Sequence, residues 1–283
     1  MNKIKIISIL LLSSILTIMV FNYSNKNNSS KKDKLVINSK LNQLNNTDKK
    51  LSFFNTSYLD RYIEYKNKNI NYSNEKIVIN VNIGIDNNFY TNIKECININ
   101  TTYVLVNKFY KLNKNYIPKN LEYINSKYGN GMLVKEARIA FEDLSKAALN
   151  DNMRIMAVSA YRSYNYQNNL YDNYVKSDGK EKADTYSARP GHSEHQTGLA
   201  IDVSNGTLPF TSFGKTKEFE WMLENAYKYG FILRYTKEYE TITGYITETW
   251  HYRYVGIKIA SYIYNNPMSF EEYYIRFIEK ENP

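Results

Sequence analysis

Two short segments hold the residues of this chain that are best suited to chemistry. The first, 193–202 (SEHQTGLAID), contains His195 and Asp202, and the second, 248–251 (ETWH), contains His251. Two imidazoles and a carboxylate can serve as the three protein ligands of a catalytic zinc, whose fourth position is left for water. The pattern therefore predicts a zinc hydrolase in which these three side chains are the metal ligands.

The chain has only three histidines, and all of them lie in or beside these segments. A lone histidine is more often a hydrogen-bonded core or surface residue than a ligand, but here His195 is accompanied by Asp202 and His251. His192, three residues before His195, could compete as a ligand. We expect it instead to lie behind the ligands or at the surface, without touching the metal.

Glu248 could be either a fourth ligand or the general base. A tetrahedral catalytic zinc takes three protein ligands, and His195, Asp202 and His251 already supply them. Because hydrolysis also needs a proton acceptor for the attacking water, we assign Glu248 as the base. Trp250 is expected to pack so that it orients His251. Arg162 has two interpretations from the residues alone: a surface arginine paired with an acid, which is the commoner case, or a guanidinium that stabilises an oxyanion.

The elements that must position these residues follow from hydrophobic periodicity. Residues 199–203 alternate as a strand, so Asp202 faces away from the core toward a reachable surface. Gly198 permits the turn that brings His195 back toward Asp202. A carboxylate and an imidazole seven residues apart can meet at one ion only if such a turn intervenes.

The clearest predicted helix covers residues 133–149, whose apolar positions recur at three- and four-residue spacing. Helices precede a group of strands, which favours an α+β fold: a small, mostly antiparallel sheet flanked by helices, with the zinc site in a surface cleft. The other predicted helices are 58–65, 164–175, 218–229, 255–264 and 270–279. The other predicted strands are 76–85, 103–106, 154–159, 231–235 and 244–251.

The N-terminus has the pattern of an export signal. Lys3 and Lys5 precede an apolar run, residues 6–21. The segment is interpreted as a signal peptide or a signal anchor, and both place the rest of the chain outside the cytoplasm, on the outer face of the membrane or in the cell wall. The predicted division is 1–22 signal, 23–50 flexible linker, 51–130 N-terminal extension packing on the catalytic domain, and 131–283 catalytic domain.

The amino-acid composition indicates which classes of binding partner to expect. The chain has 37 basic and 28 acidic residues, a net charge of +9, and a basic excess attracts a protein to polyanions. No nucleic-acid motif accompanies the charge, so an anionic wall or membrane surface is expected rather than nucleic acid. The single cysteine, Cys96, cannot form an internal disulfide, so the core and a bound metal must provide the stability. We expect a monomer.

Three segments resemble the VanY-type zinc D-alanyl-D-alanine carboxypeptidases, which are LAS-type peptidoglycan peptidases. They are 159–167 (SAYRSYNYQ), 189–202 (RPGHSEHQTGLAID) and 248–256 (ETWHYRYVG). The resemblance implies roles for eight residues. The implied zinc ligands are His195, Asp202 and His251, the implied catalytic residues are Glu248 and Arg162, and the implied substrate-side residues are Gln167, Ser187 and Ser193.

In this resemblance, Arg162 contacts the scissile carbonyl or its oxyanion, which replaces the surface interpretation. The implied reaction is hydrolysis of the terminal peptide bond of peptidoglycan stem peptides with release of D-alanine, from either a D,D or an L,D bond. Two alternatives stay open. One is an endopeptidase with the same zinc centre, and the other is a wall-binding module with an inactive metal site, against which the intact Glu248 argues.

Overall fold

Short strands and helices alternate along the chain in this computed structural model, which describes residues 51–279. We number them in chain order. The strands are β1 Lys94–Glu95, β2 Tyr110–Lys111, β3 Leu121–Tyr123, β4 Met132–Val134, β5 Met156–Ser159, β6 Ala200–Ser204, β7 Phe231–Tyr235 and β8 Glu248–Tyr254. The helices are α1 Leu59–Lys68, α2 Asn74–Ile83, α3 Lys135–Asn150, α4 Tyr164–Asp178, α5 Lys180–Ala183, α6 Lys217–Asn225, α7 Glu240–Thr243, α8 Ile257–Asn265 and α9 Phe270–Phe277.

A four-stranded sheet in the order β5-β6-β8-β7 positions the chemistry. All of its neighbouring strands are antiparallel. Two smaller pairs accompany it: β3 with β4 is antiparallel, and β1 with β2 is parallel. The predicted α+β fold with small, mostly antiparallel sheets flanked by helices is therefore confirmed.

Helix α3 supplies much of the hydrophobic core. Its buried positions Ala137, Phe141, Leu144 and Ala148 recur every three or four residues and so lie on one face. The ring of Phe141 packs edge-on against Phe231, with ring centroids 6.3 Å apart. Fully burying a side chain of this kind contributes roughly 1.5–3 kcal/mol. The helix predicted over 133–149 is confirmed, although its first residues form strand β4 instead.

The strand predicted over 76–85 is wrong, because helix α2 covers most of this segment. The alternation of Ile77, Ile79, Val81 and Ile83 is misleading because the intervening residues are buried too. Val78 is fully buried, and Asn80 is 6% exposed. An element that is buried on every side loses the contrast between apolar and polar positions on which the prediction depends.

The strand predicted over 103–106 is also wrong. Val104 and Val106 are fully buried, but the segment is irregular. The carbonyl oxygens of Thr102 and Val104 accept hydrogen bonds from Nη2 of Arg253, at 3.0 and 2.8 Å. The Arg253 side chain thus supplies the hydrogen-bond donors that a neighbouring strand would supply in a sheet. The last predicted strand, 244–251, starts later, at Glu248.

The chain divides into two units between Val78 and Ile79. In the described part of the first unit, the hydroxyl of Tyr62 in α1 accepts a hydrogen bond from the backbone N–H of Asn55, at 3.1 Å. The second unit contains the four-stranded sheet and its core, to which Val104 and Leu112 also belong. No helix between residues 51 and 279 is both long and apolar enough to cross a bilayer. The segments predicted as a signal (1–22) and a linker (23–50) lie outside the described residues.

Candidate active site

Asp202 and His251 face each other across neighbouring strands. Asp202 in β6 is the register partner of His251 in β8, and Ser159 of β5 is its partner on the other side. Residues directly opposite in antiparallel strands have Cβ atoms about 4.5–5.5 Å apart and point to the same face of the sheet. The strand register therefore brings two residues that are distant in sequence to one point.

His195 reaches the same point from a short 3-10 helix, Glu194–Thr197, which ends at Gly198. Gly198 has φ +68°, a left-handed conformation in which a side chain is strained. A Cβ at this position would also lie 2.8 Å from Cδ2 of Leu121. The predicted turn at Gly198 is confirmed, and it reverses the chain between His195 and the strand that carries Asp202.

The three predicted ligands offer donor atoms that all lie within 4.8 Å of one another. Nε2 of His195 is 3.4 Å from Oδ2 of Asp202, and Nδ1 of His251 is 3.1 Å from Oδ1. The side chains are buried, with residue exposures of 2% for His195 and 4% for both Asp202 and His251. Two imidazole nitrogens and a carboxylate oxygen fit zinc, which binds both donor types.

The hydrogen-bond partners of the two histidines assign opposite nitrogens to the metal. Nδ1 of His195 is 2.7 Å from the carbonyl oxygen of Ala160. Since a carbonyl can only accept, Nδ1 carries the proton and Nε2 is free to bind a metal. In His251 it is Nε2 that faces an acceptor, Oε2 of Glu194 at 3.3 Å, so that Nδ1 faces the proposed metal position.

The protonation states of the three side chains determine how they could bind a metal. Burial and the Arg162 guanidinium lower the pKa of His195 to about 4, which leaves its imidazole neutral. Burial opposes ionisation of Asp202, but His195 and Arg162 outweigh it and hold the pKa well below its usual range. Burial also opposes the charged form of His251, yet hydrogen bonds to Asp202 and Glu194 raise its pKa to about 9. Because a metal needs the neutral imidazole, metal binding would release the proton of His251.

Glu248 begins strand β8 and lies beside the three potential ligands. Its Oε2 is 3.8 Å from Nδ1 of His251, and the residue is 7% exposed. Burial raises the pKa of Glu248 to about 7, against the opposing effect of His251. A general base works best when its pKa is close to the working pH, so Glu248 is suited to exchange protons near neutrality.

Arg162 lies against the carboxylate of Asp202. Its Nη2 donates a hydrogen bond to Oδ2 of Asp202, and its Nε donates to Oγ of Ser159 at 2.8 Å. Its backbone N–H donates to the carbonyl of His195 at 3.2 Å. The guanidinium is therefore fixed at the edge of the site, with 18% of the side chain exposed.

One cavity of about 470 Å³ is lined by all eight residues with roles predicted from sequence. Gln167 on α4 donates from Nε2 to the carbonyl of Ala188, at 2.8 Å. Its Oε1 is buried and has no hydrogen-bond partner among residues 51–279, which leaves an acceptor for a substrate. Ser187 and Ser193 are 6% and 4% exposed. Several other residues of the lining were not predicted from sequence: Leu170, Tyr174, Tyr186, Phe210, Tyr235 and Tyr245.

Two neighbouring residues lie outside the group of potential ligands. His192 is buried, with 6% exposed, and has Nδ1 2.7 Å from the carbonyl of Asn107 and its ring edge-on to Tyr90. It does not belong to the group of potential ligands, as expected. Trp250 is a packing residue, as expected: its ring packs edge-on against Phe210, with ring centroids 5.3 Å apart, and its role in orienting His251 stays a prediction.

Comparison with known proteins identifies the family of the chain. The sequence model of the VanY family, described as D-alanyl-D-alanine carboxypeptidase, matches residues 130–257. YodJ of Bacillus subtilis (strain 168), a putative carboxypeptidase by name, is 39% identical over 214 residues, which are 69% of this chain and 77% of YodJ. The chain belongs to the VanY family. The resemblance of its three motif segments is therefore confirmed.

Two solved structures have the same fold as this chain. The LD-carboxypeptidase LdcB, whose structure describes peptidoglycan recognition, is 40% identical with a TM-score of 0.61, covering 67% of this chain and 94% of LdcB. A variant of the vancomycin-resistance D,D-pentapeptidase VanY, solved with Zn(II), is 34% identical with a TM-score of 0.54, covering 61% of this chain and 98% of that VanY.

Proposed function

We propose that this protein is a zinc carboxypeptidase that removes the terminal D-alanine from peptidoglycan stem peptides. The observation that carries the proposal is the convergence of His195, Asp202 and His251 within 4.8 Å in a chain of the VanY family. The VanY relative solved with Zn(II) supports zinc as the metal. The structural relatives of this chain include both an LD-carboxypeptidase and a D,D-pentapeptidase, so a tetrapeptide and a pentapeptide are both candidate substrates.

In this proposal, Nε2 of His195, a carboxylate oxygen of Asp202 and Nδ1 of His251 hold the zinc. When bound, zinc supplies Lewis acidity, which makes water a better nucleophile near pH 7 and polarises a carbonyl. Glu248 takes the proton of the attacking water and passes it to the leaving amine, for which the raised pKa of its buried carboxyl is suited.

Arg162 and three other residues of the cavity lining are proposed to bind and orient the peptide. The guanidinium of Arg162 lies beside Asp202 and lines the cavity, where it can donate to the scissile carbonyl as negative charge develops on its oxygen. The available acceptor of Gln167 and the hydroxyls of Ser187 and Ser193 are proposed to hold the backbone and terminal groups of the stem peptide.

The proposed substrate places the enzyme outside the cytoplasm. Residues 1–22 are proposed to direct export, either as a cleaved signal or as a retained anchor, and residues 131–283 are proposed to form the catalytic domain. The net charge of +9 is proposed to favour binding to the anionic wall or membrane surface.

The test is to incubate the purified full-length chain with defined tetrapeptide and pentapeptide muropeptides and to follow the products by mass spectrometry. We expect loss of one alanine residue, abolished by a chelator and restored by zinc. Cleavage within the stem or at a cross-link would instead identify an endopeptidase. A zinc-loaded protein that cleaves none of these substrates would overturn the proposal in favour of a wall-binding module.

A further inference from the structure

A buried glutamate for which the sequence predicted no role lies directly behind the proposed metal site. The side chain of Glu194 is 0% exposed, and its two carboxylate oxygens face different partners. Oε2 is 3.3 Å from Nε2 of His251, the ring nitrogen that points away from Asp202. Glu194 is thus in a position to accept the Nε2–H hydrogen bond while Nδ1 of the same ring faces the metal position.

Two arginines hold the other oxygen. Oε1 of Glu194 accepts from Nε of Arg234 at 2.9 Å and from Nη1 of Arg253 at 3.1 Å. Both guanidinium groups are themselves 0% exposed. Because these donors engage Oε1, the carboxylate cannot rotate without breaking two charge-assisted hydrogen bonds, and Oε2 stays directed at His251.

The arginines are fixed in turn by residues outside the segment 130–257 that the family model matches. Glu271 on helix α9 accepts from both terminal nitrogens of Arg234, at 3.0 and 2.6 Å. Nη2 of Arg253 donates to the carbonyls of Thr102 and Val104. Contacts therefore connect helix α9 and the segment 102–104 with the imidazole of His251, through the two arginines and Glu194.

We propose that Glu194 is a positioning residue for zinc: it accepts the Nε2–H of His251, and this fixes the tautomer that presents Nδ1 to the metal. The inference rests on the proposed function only in taking zinc as the metal. Hydrogen bonds from ligating histidines to carboxylates orient the ring and raise its basicity, and their loss typically lowers metal affinity by about 10–100-fold.

Glu194→Gln tests this directly because the amide has one acceptor and one donor. The two arginines would engage the amide oxygen, which turns the NH₂ group toward Nε2 of His251. That group donates instead of accepting, so the ring would keep its proton on Nδ1, where it competes with zinc. We expect the zinc dissociation constant of the full-length chain, measured by competition with a chromophoric chelator, to rise by about 10–100-fold.

The matched control is Glu271→Gln, which changes a buried glutamate that does not contact His251 and keeps an amide oxygen as acceptor for Arg234, so Arg234 stays in place against Glu194. It is expected to lower the unfolding temperature while keeping the zinc dissociation constant within about threefold of wild type, well short of the roughly 10–100-fold loss expected for a partner of a ligating histidine. NMR of the ¹⁵N-labelled, zinc-loaded chain, with only three histidines to assign, should show a protonated Nε2 in His251.

Four results would separate the possible failures. Equal losses of zinc affinity in the two variants would overturn the inference, because the effect would then be one of general stability. Unchanged affinity in Glu194→Gln, or an unprotonated Nε2 in wild type, would also overturn it while leaving the proposed function intact. A wild-type chain that binds no zinc would instead overturn the proposed function.

Discussion

Two buried glutamates flank His251, and their surroundings give them opposite properties. Burial raises the pKa of Glu248 to about 7, so its carboxyl can gain and lose a proton near neutrality. Burial acts in the same direction on Glu194, but Arg234 and Arg253 outweigh it and hold its pKa well below the usual range. Glu248 is therefore suited to proton transfer, whereas Glu194 stays ionised and is suited to accepting a hydrogen bond.

Glu248 and His195 can be separated by substitution at the residue scale. Glu248→Ala should keep zinc and lower kcat by about 10²–10⁴-fold, because it removes the proton acceptor without removing a ligand. His195→Ala should lose both metal and turnover. Zinc analysis and a D-alanine release assay on the two variants check this, and full activity in Glu248→Ala would refute its assignment as the base.

The site residues differ in how far sequence could predict them. His195, Asp202 and His251 have the residue types of a zinc site, and the resemblance of their segments to the family implies that role. Glu194 lies within the same motif, but its role depends on Arg234 and Arg253, which no spacing rule connects to it. Its neighbour His195 is the only sequence signal that could have drawn attention to it.

At the scale of elements, the turn before β6 is open to a matched test. Gly198→Ala should destabilise the fold by more than the roughly 1–2 kcal/mol cost of a left-handed alanine, because its Cβ would also meet Leu121 at 2.8 Å. Gly206→Ala is the control, since Gly206 has φ +76° but the atoms nearest to the point that a Cβ would occupy are those of the flexible Arg154 side chain, at 3.3 Å. Thermal unfolding should show the larger loss at Gly198, and equal losses would argue against the close contact.

Helix α3 allows a second test of packing. Phe141→Ala removes a ring that is 1% exposed and should lower the free energy of unfolding by about 3–5 kcal/mol. Ile139→Ala, on the same helix but 43% exposed, should change it by less than about 0.5 kcal/mol. Denaturant unfolding measures both. A small effect at Phe141 would mean that the core can close around the missing ring.

Helix α3 was predictable because an apolar stripe and a polar face alternate along it. Strand β7 was predicted with its bounds, 231–235, although four of its five residues are buried, because it is short and follows the helix-ending Gly230. The wrong strand at 76–85 is a helix whose asparagines are buried together with its isoleucines. At 103–106 the competing contact comes from Arg253, far along the chain, which local patterns cannot reveal.

At the scale of the whole molecule, α9 contributes Glu271 to a buried charge network with Arg234 of strand β7. Glu271→Ala would leave Arg234 with one buried partner fewer and should cost about 3–5 kcal/mol of unfolding free energy. The control is Glu272→Ala, next in sequence, whose salt bridge to Arg276 is partly exposed and should contribute less than about 1 kcal/mol. Denaturant titration compares them, and equal values would remove the argument for a structural role of Glu271.

The pairing of Glu194 and Glu271 with Arg234 and Arg253 also constrains how this sequence can change over evolution. The four charges sum to zero, so replacing any one of them leaves an excess charge in a dry interior, whereas a second replacement of opposite sign restores neutrality. Substitutions at these positions should therefore be epistatic, with double variants less damaging than the sum of the single ones. Homologous chains are expected to keep or exchange these residues in concert.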